Sequence, residues 1–324
     1  MISQSPRLTF HDLLAPSRSA LDEVLNGLAK PQKQIPPKYF YDARGCKLFE
    51  AICSLPEYYP TRTELAIMRS HARAMAGKLG PDCALIEIGC GNSEKTLLLL
   101  QALRPLAFVP IDIAREQLEI SCNMLARSFP GMAIVALRAD FSRPVALPVA
   151  ELPHSRRRVL YFPGSTIGNF TPAEAQAFLA RWAPVLGPGG GALIGVDLKK
   201  DVALLDAAYN DSQGVTAEFN LNLLARLNRD LGANFDLRKF RHRAFYCSEP
   251  GRIEMHLVSV DNQQVAIGGR NFTFQAEETI HTESSYKYSV PEFQDLGRAA
   301  GFTPVSCWCD ENKLFSVHYL TLPE

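Results

Sequence analysis

The chain has 324 residues, 47% of them hydrophobic and 21% charged, enough for one large or two modest domains with a substantial core. Its 34 basic residues balance 34 acidic ones, so no global charge recruits nucleic acid or an anionic membrane. No apolar run approaches the ~18 residues of a membrane span.

The opening stretch, MISQSPRLTFHDLL, lacks the basic start and apolar run of a secretory leader. Residues 1–35 read as an arm followed by an amphipathic helix, with Leu21, Val24, Leu25 and Leu28 at helical spacing. Pro31 and Pro36-Pro37 end that pattern. An aromatic-rich segment follows, KYFYDARGCKLFEAICSLPEYYPTRTE, and a helix is expected over residues 63 to about 78. Next come a short apolar strand at 84–88, a glycine-rich turn and a helix from about residue 95. The pattern then repeats: strand LAFVPIDI, a helix around 116–128, and strands AIVALRAD and RRVLYFPGS. Thr171-Pro172-Ala173-Glu174 is a capping box with proline at the first helical position, and Phe178, Leu179, Trp182 and Leu186 continue that helix. A glycine-rich break precedes strand ALIGVDL. Strands alternating with helices, each strand short and apolar, give a parallel sheet covered on both faces.

Residues from about 199 to 286 break this rhythm with a helical stretch and then β-patterned runs, RIEMHLVSV and RNFTFQAEETIHTESSYKY. Ser289-Val290-Pro291-Glu292 caps another helix, which Gly301 ends, and two strands, PVSCWCD and LFSVHYLTL, form an antiparallel hairpin. On the first of them Cys307 and Cys309 place two thiols on one face. The basic runs at 156–158 and 238–243 lack interleaved aromatics and read as solvated faces. The eight cysteines form no CxxC pair, and the seven histidines show no HExxH or HxH spacing. These features point to a reducing, cytoplasmic setting and to no metal site.

The glycine-rich turn reads EIGCGNSEKT, residues 87–96. Lys95-Thr96 resembles the end of a nucleotide-binding P-loop, but Glu94 occupies the second glycine position of G-x-x-x-x-G-K-[ST]. A carboxylate there would repel a triphosphate. The dinucleotide pattern G-x-G-x-x-G fails at the same residue. What remains is a strand, an acidic Glu87, and Gly89-x-Gly91 opening a helix. Asp112 ends the next parallel strand, placed for ribose hydroxyls. Asp140 and Phe141 end the one after, offering a carboxylate for an adenine amino group and a ring for packing. Together these strand ends indicate S-adenosylmethionine. The competing reading is a tight turn with two capping aspartates.

The strand VLYFPGS delivers Gly164 to Asn169 at its carboxyl end, where open α/β sheets bind ligands. Asn169 both donates and accepts hydrogen bonds without charge, which suits an amine that must lose its proton before attacking a methyl group. Locally it serves equally well as a turn residue. Tyr41, Tyr58 and Tyr59 lie outside the sheet and read, on sequence alone, as a core cluster.

The segments KYFYDARGCKLFEAICSLPEYYPTRTE, EIGCGNSEKT, GSTIGNFTPAE, AYNDSQGVTAEFNLNLL, RIEMHL and HTESSYKYS resemble, in order, the histidine-specific Nα-methyltransferases of ergothioneine biosynthesis. The resemblance runs from about residue 10 to the end. It implies an α/β fold: a class I Rossmann-like methyltransferase with a mainly parallel sheet and an antiparallel final hairpin, plus an inserted α+β substrate-binding domain. Residues 61–198 and 287–324 would form the first part, and 1–60 with 199–286 the second. It implies S-adenosyl-L-methionine-dependent trimethylation of the α-amine of L-histidine to hercynine by a monomer without metal, nucleic acid or membrane. The site residues follow from the same motifs. Tyr41 reaches the imidazole through water, and Phe49 lines the pocket near the amine. Tyr58 and Tyr209 bind the carboxylate. Gly164 and Asn169 hold the amine by a backbone carbonyl and a side-chain amide. Glu283 and Ser285 grip the imidazole, with Met255 beneath it. Gly89, Lys95, Asp112, Asp140 and Phe141 form the cofactor set, with Lys95 serving the methionine carboxylate or the loop itself. Tyr41 and Asn169 are the candidate catalytic residues. An Nα-methyltransferase for another aromatic amino acid, such as tryptophan, is the alternative, against which Met255 and Glu283 argue.

Overall fold

In a computed structural model of the chain, residues 8–14, 18–91 and 93–324 are described. Residues 1–7 and 15–17, part of the arm expected before the first helix, and residue 92 of the glycine-rich turn lie outside them. In chain order the elements begin with β1 (Leu8–Asp12), α1 (Arg18–Leu28), β2 (Lys33–Gln34), α2 (Ala43–Cys53) and α3 (Tyr59–Leu79). Then come β3 (Cys83–Ile88), α4 (Glu94–Leu103), β4 (Ala107–Asp112), α5 (Arg115–Ser128), β5 (Ala133–Arg138), β6 (Arg157–Phe162), α6 (Pro172–Leu186) and β7 (Gly191–Asp197). Two helices follow, α7 (Val202–Tyr209) and α8 (Val215–Leu231), then β8 (Phe240–Cys247), β9 (Arg252–Ser259), β10 (Gln263–Ile267), β11 (Arg270–Phe274) and β12 (Thr279–Tyr286). The chain closes with α9 (Val290–Ala299), β13 (Thr303–Cys309) and β14 (Phe315–Thr321).

The chain divides into two compact units. The first holds residues 60–199 and 286–324 together with β1, and the second holds residues 15–59 and 200–285. In the first unit one sheet runs in the order β1-β5-β4-β3-β6-β7-β14-β13. It is parallel from β1 to β7; β14 then pairs antiparallel with β7, and β13 with β14. Alternation along each strand divides the core between the two faces. Ile86 and Ile88 of β3 join Phe178 and Trp182 of α6 and Phe293 of α9. Cys83 and Leu85 face the opposite way, toward Met68 and Met75 of α3, Leu99 of α4 and Leu118 of α5. Thr171 and Ser289 each form the expected capping box, so α6 and α9 start where the sequence placed them.

The second unit carries a sheet in the order β2-β12-β9-β8 and the hairpin β10-β11. β8 and β9 are antiparallel, and β2 joins β12 in parallel. Phe40 stacks on Phe219 of α8 at 4.5 Å between ring centroids.

Four expectations shift. The arm contains β1, which pairs with β5 at the sheet edge, so residues 8–14 belong with the first unit and not with residues 15–59. Helix α3 starts at Tyr59, four residues early, because Pro60 falls in its first turn, where a missing N–H costs nothing. The run 270–288 splits into β11 and β12. Of the basic run 156–158, only Arg156 is exposed: Arg157 donates to the Tyr319 hydroxyl and Arg158 to the Val185 carbonyl. The two thiols of β13 do share a face, with Cys307 Sγ 3.8 Å from Cys309 Sγ.

Candidate active site

In the first unit the glycine loop leaves β3 with its backbone in the left-handed region, Gly89 at φ +74° and Gly91 at +45°. Side chains rarely adopt this conformation, and among the described residues a Cβ on either glycine would meet no atom within 4 Å. At these two positions bare backbone therefore faces open space among the described residues. Asp112, at the end of β4, is held in place by that backbone: Cys90 N–H donates to Oδ2 and Ala114 N–H to Oδ1, each at 2.9 Å. Burial pushes the Asp112 carboxyl up, opposed by the Ala114 and Cys90 N–H bonds.

Glu87 lies behind the loop, 1% exposed. Thr96 donates to Oε1 at 2.5 Å, while Oε2 is buried without a hydrogen-bond partner among the described residues. Burial raises its pKa to about 8, so near neutral pH the group is mostly a neutral acid. Thr96, which first suggested a phosphate loop, thus serves a buried carboxyl.

Lys95 pairs with Glu64 of α3, Nζ to Oε2 at 2.5 Å, and Glu64 is 1% exposed. Glu64 also accepts the Gly164 N–H on both oxygens, at 3.1 and 2.9 Å. The sequence reading missed Glu64. The available signal is an acidic residue three and four positions before Ile67 and Met68, in the apolar stripe of a helix.

Asp140 accepts from the N–H and hydroxyl of Ser142 on Oδ1, and Arg143 lies 3.8 Å from Oδ2. These are bonds within its own turn, as in the capping reading. The Phe141 ring packs on Phe162 and Phe170 at 5.8 and 6.5 Å.

The turn after β6 has two residues at positive φ, Gly164 at +76° and Ser165 at +56°, and the second is strained because it carries a side chain. Asp197 N–H donates to Ser165 Oγ at 2.9 Å, which helps hold the turn. Gly168 lies so close to the Tyr286 backbone that a Cβ would come within 2.7 Å of its carbonyl. Asn169 follows as the half-buried last residue of a 3-10 turn, Thr166–Asn169. Next to Tyr286, Lys287 forms a buried ion pair with Asp197 at 2.7 Å.

In the second unit the tyrosines form part of an aromatic chain. Tyr41, at the end of a 3-10 turn, meets Phe49 of α2 edge-on at 5.8 Å. Phe49 meets Tyr58 at 6.3 Å, and Tyr58 meets Tyr209, the last residue of α7, at 6.2 Å. Phe219 touches both Tyr41 and Phe49 at 6.0 Å. Burial, joined by the neighbouring Tyr209, Cys53 and Glu283, pushes the Tyr58 phenol well above its ordinary range, so it remains a hydrogen-bond donor.

Tyr209 donates to Ser285 Oγ at 2.9 Å, which brings together two residues expected at opposite ends of a substrate. His242 fixes the end of α7: its Nε2 bonds the Tyr209 carbonyl, and its Nδ1 faces Asn220 Nδ2, both at 2.9 Å. The donor on the Asn220 side assigns a neutral ring with its proton on Nε2, and burial lowers the His242 pKa in the same sense. Glu283 and Ser285 stand two apart on β12, hence on one side of the strand. Met255 is buried on β9, where its carbonyl accepts from Thr282 at 3.0 Å.

Residues 20–322 match the family described as histidine-specific methyltransferase, SAM-dependent. The chain is similar to a histidine N-alpha-methyltransferase of Mycobacterium tuberculosis, 42% identical over 89% of this chain and 90% of that one. It is 32% identical to ergothioneine biosynthesis protein 1 of Neurospora crassa over 89% of its own length and 33% of the fungal protein. Among solved structures, a putative methyltransferase from Thermobifida fusca superposes with a TM-score of 0.50, covering 92% of this chain and 98% of that one at 12% identity, a likeness of fold.

Proposed function

Since the chain belongs to the family of S-adenosylmethionine-dependent, histidine-specific methyltransferases, we propose that it trimethylates the α-amine of L-histidine to hercynine, the first step of ergothioneine biosynthesis. The family match over nearly the whole chain carries this reading. The loop around Gly89 fits the methyl donor on structural grounds: bare backbone facing open space, and an Asp112 carboxylate aimed by two N–H groups. The donor supplies a methyl group on a sulfonium.

The residues of this chain bind, orient and desolvate. Gly89, Asp112, Asp140 and Phe141 take the adenosyl part, and Lys95 the methionine carboxylate. Tyr58 and Tyr209 bind the histidine carboxylate as neutral phenols, which leaves no cation beside the amine. Glu283 and Ser285 hold the imidazole over Met255, with Tyr41 reaching the same ring through water. Gly164 and Asn169 hold the neutral amine for in-line attack, the reacting atoms ~3–3.5 Å apart. Tyr41 and Asn169 carry the catalytic roles, placing the amine and passing its proton to water. As methyl groups accumulate, Phe49 offers a ring face to the fixed positive charge. The first unit thus acts as the Rossmann-like methyltransferase domain and the second as the substrate-binding domain. The same reading has a monomer at work in the cytoplasm, consistent with eight free cysteines.

The alternative, a tryptophan Nα-methyltransferase, conflicts with a Glu283–Ser285 pair suited to two ring nitrogens. The test is mass spectrometry of a reaction holding S-adenosylmethionine and a mixture of the standard amino acids. Trimethylated histidine as the one product fits the proposal, and methylated tryptophan or no S-adenosylhomocysteine would overturn it.

A further inference from the structure

Within the first unit, a single buried carboxylate joins the cofactor and amine assignments. Glu64, one turn into α3, accepts from Lys95 Nζ at 2.5 Å and from the Gly164 N–H at 2.9 and 3.1 Å. Lys95 is the cation assigned to the methionine carboxylate, and Gly164 is the peptide whose carbonyl is assigned to the histidine amine. The two are neighbours, since a Cβ on Gly164 would lie 3.7 Å from Lys95 Nζ. The fold makes room for this carboxylate: a Cβ on Gly195 of β7 would stand 2.2 Å from Glu64 Oε1 and 3.1 Å from the Phe315 ring. A glycine in the middle of a central strand weakens it and often marks a close approach, and here the approaching group is the Glu64 carboxylate.

We infer that Glu64 is a positioning residue for both ligands: it fixes the Lys95 ammonium for the donor's carboxylate and the Gly164 peptide for the substrate's amine. The inference rests on the roles given above to Lys95 and Gly164. A long, flexible lysine side chain has many rotamers to lose on binding, and a buried counter-charge selects one in advance. A left-handed Gly164 has wide conformational freedom, and two hydrogen bonds to its N–H restrict it. Both effects lower the ordering cost of a bound ligand.

Glu64→Gln keeps the shape but loses the ion pair. It should weaken S-adenosylhomocysteine binding about tenfold by calorimetry and raise the histidine KM about tenfold, in protein that remains folded. Lys95→Met should weaken cofactor binding alone, leaving the histidine KM within about twofold, because Gly164 keeps its bonds to Glu64. The double variant should bind cofactor no worse than the weaker single variant, since the two residues act as one unit. Gly195→Ala, which displaces the Glu64 carboxylate without changing it, should reproduce the two-ligand loss, and it decides the case if Glu64→Gln does not fold. Folded Glu64→Gln or Gly195→Ala protein with wild-type affinity for both ligands would overturn the inference, as would a loss confined to thermal stability. Wild-type protein that fails to methylate histidine would defeat the proposed function instead, and the cofactor titrations would still test the Glu64–Lys95 link.

Discussion

In the first unit the groups proposed to face a ligand are set by main chain and buried charge. The Gly89 loop shows bare backbone, Asp112 is aimed by two N–H groups, and Glu64 holds Lys95 and Gly164 at once. In the second unit they are mostly rings and neutral hydroxyls packed edge to face, with Tyr209 donating to Ser285 and a single carboxylate, Glu283, assigned to the imidazole. The difference follows from what each half handles. In the proposed reading, a donor of fixed shape and the amine that attacks it reward a rigid cradle, whereas the histidine carboxylate and ring are held by neutral phenols, Ser285 and Glu283.

The contrast can be strained hardest at Lys287, whose ion pair with Asp197 is 1% exposed on both sides. Removing one partner of a buried pair strands the other, so Lys287→Met should cost about 3–5 kcal/mol in urea unfolding. A loss below about 1 kcal/mol would mean that charge does not pin this unit. Asn169→Ala comes next. Its loss should fall on amine binding, with the calorimetric histidine affinity down about 10–100-fold; unchanged affinity would remove Asn169 from the site.

His318, fully buried in the first unit, gives a pH test. Burial lowers its pKa from 6.5 to about 4, so the unfolded chain takes up this proton before the folded one. Its contribution to stability is complete above pH 6.5 and is lost as pH falls toward 4. The loss from this group is about 2 kcal/mol by pH 5. Urea midpoints of His318→Leu should fall less steeply over that window than those of wild type, and parallel slopes would contradict the assignment. The smallest effect belongs to the second unit. Tyr209→Phe removes one neutral hydrogen bond, so stability should change by about 1 kcal/mol while the histidine KM rises. A large loss of stability with KM unchanged would make Tyr209 a core residue.

What the sequence made legible follows the same division. Strand–helix alternation, the two capping boxes and the Gly89, Asp112 and Asp140 strand ends could be read directly, because local backbone rules write them into adjacent residues. The partners of Glu64 could not, since they lie 31 and 100 positions away, although its place in an apolar helical stripe is a signal. β1 escaped because its partner strand begins more than a hundred residues later. The tyrosines of the second unit carry no local signature either. Only the resemblance suggests roles for Tyr41, Tyr58 and Tyr209, because the aromatic chain that links them through Phe49 forms only after distant segments pack.

The most direct test of a donor half separate from a substrate half is paired calorimetry on Glu283→Ala. With S-adenosylhomocysteine the variant should titrate like wild type. With L-histidine, in the presence of that nucleoside, the binding heat should vanish, as expected when the group that reads the imidazole is removed. Histidine affinity near that of wild type, or an equal loss for both ligands, would contradict the account.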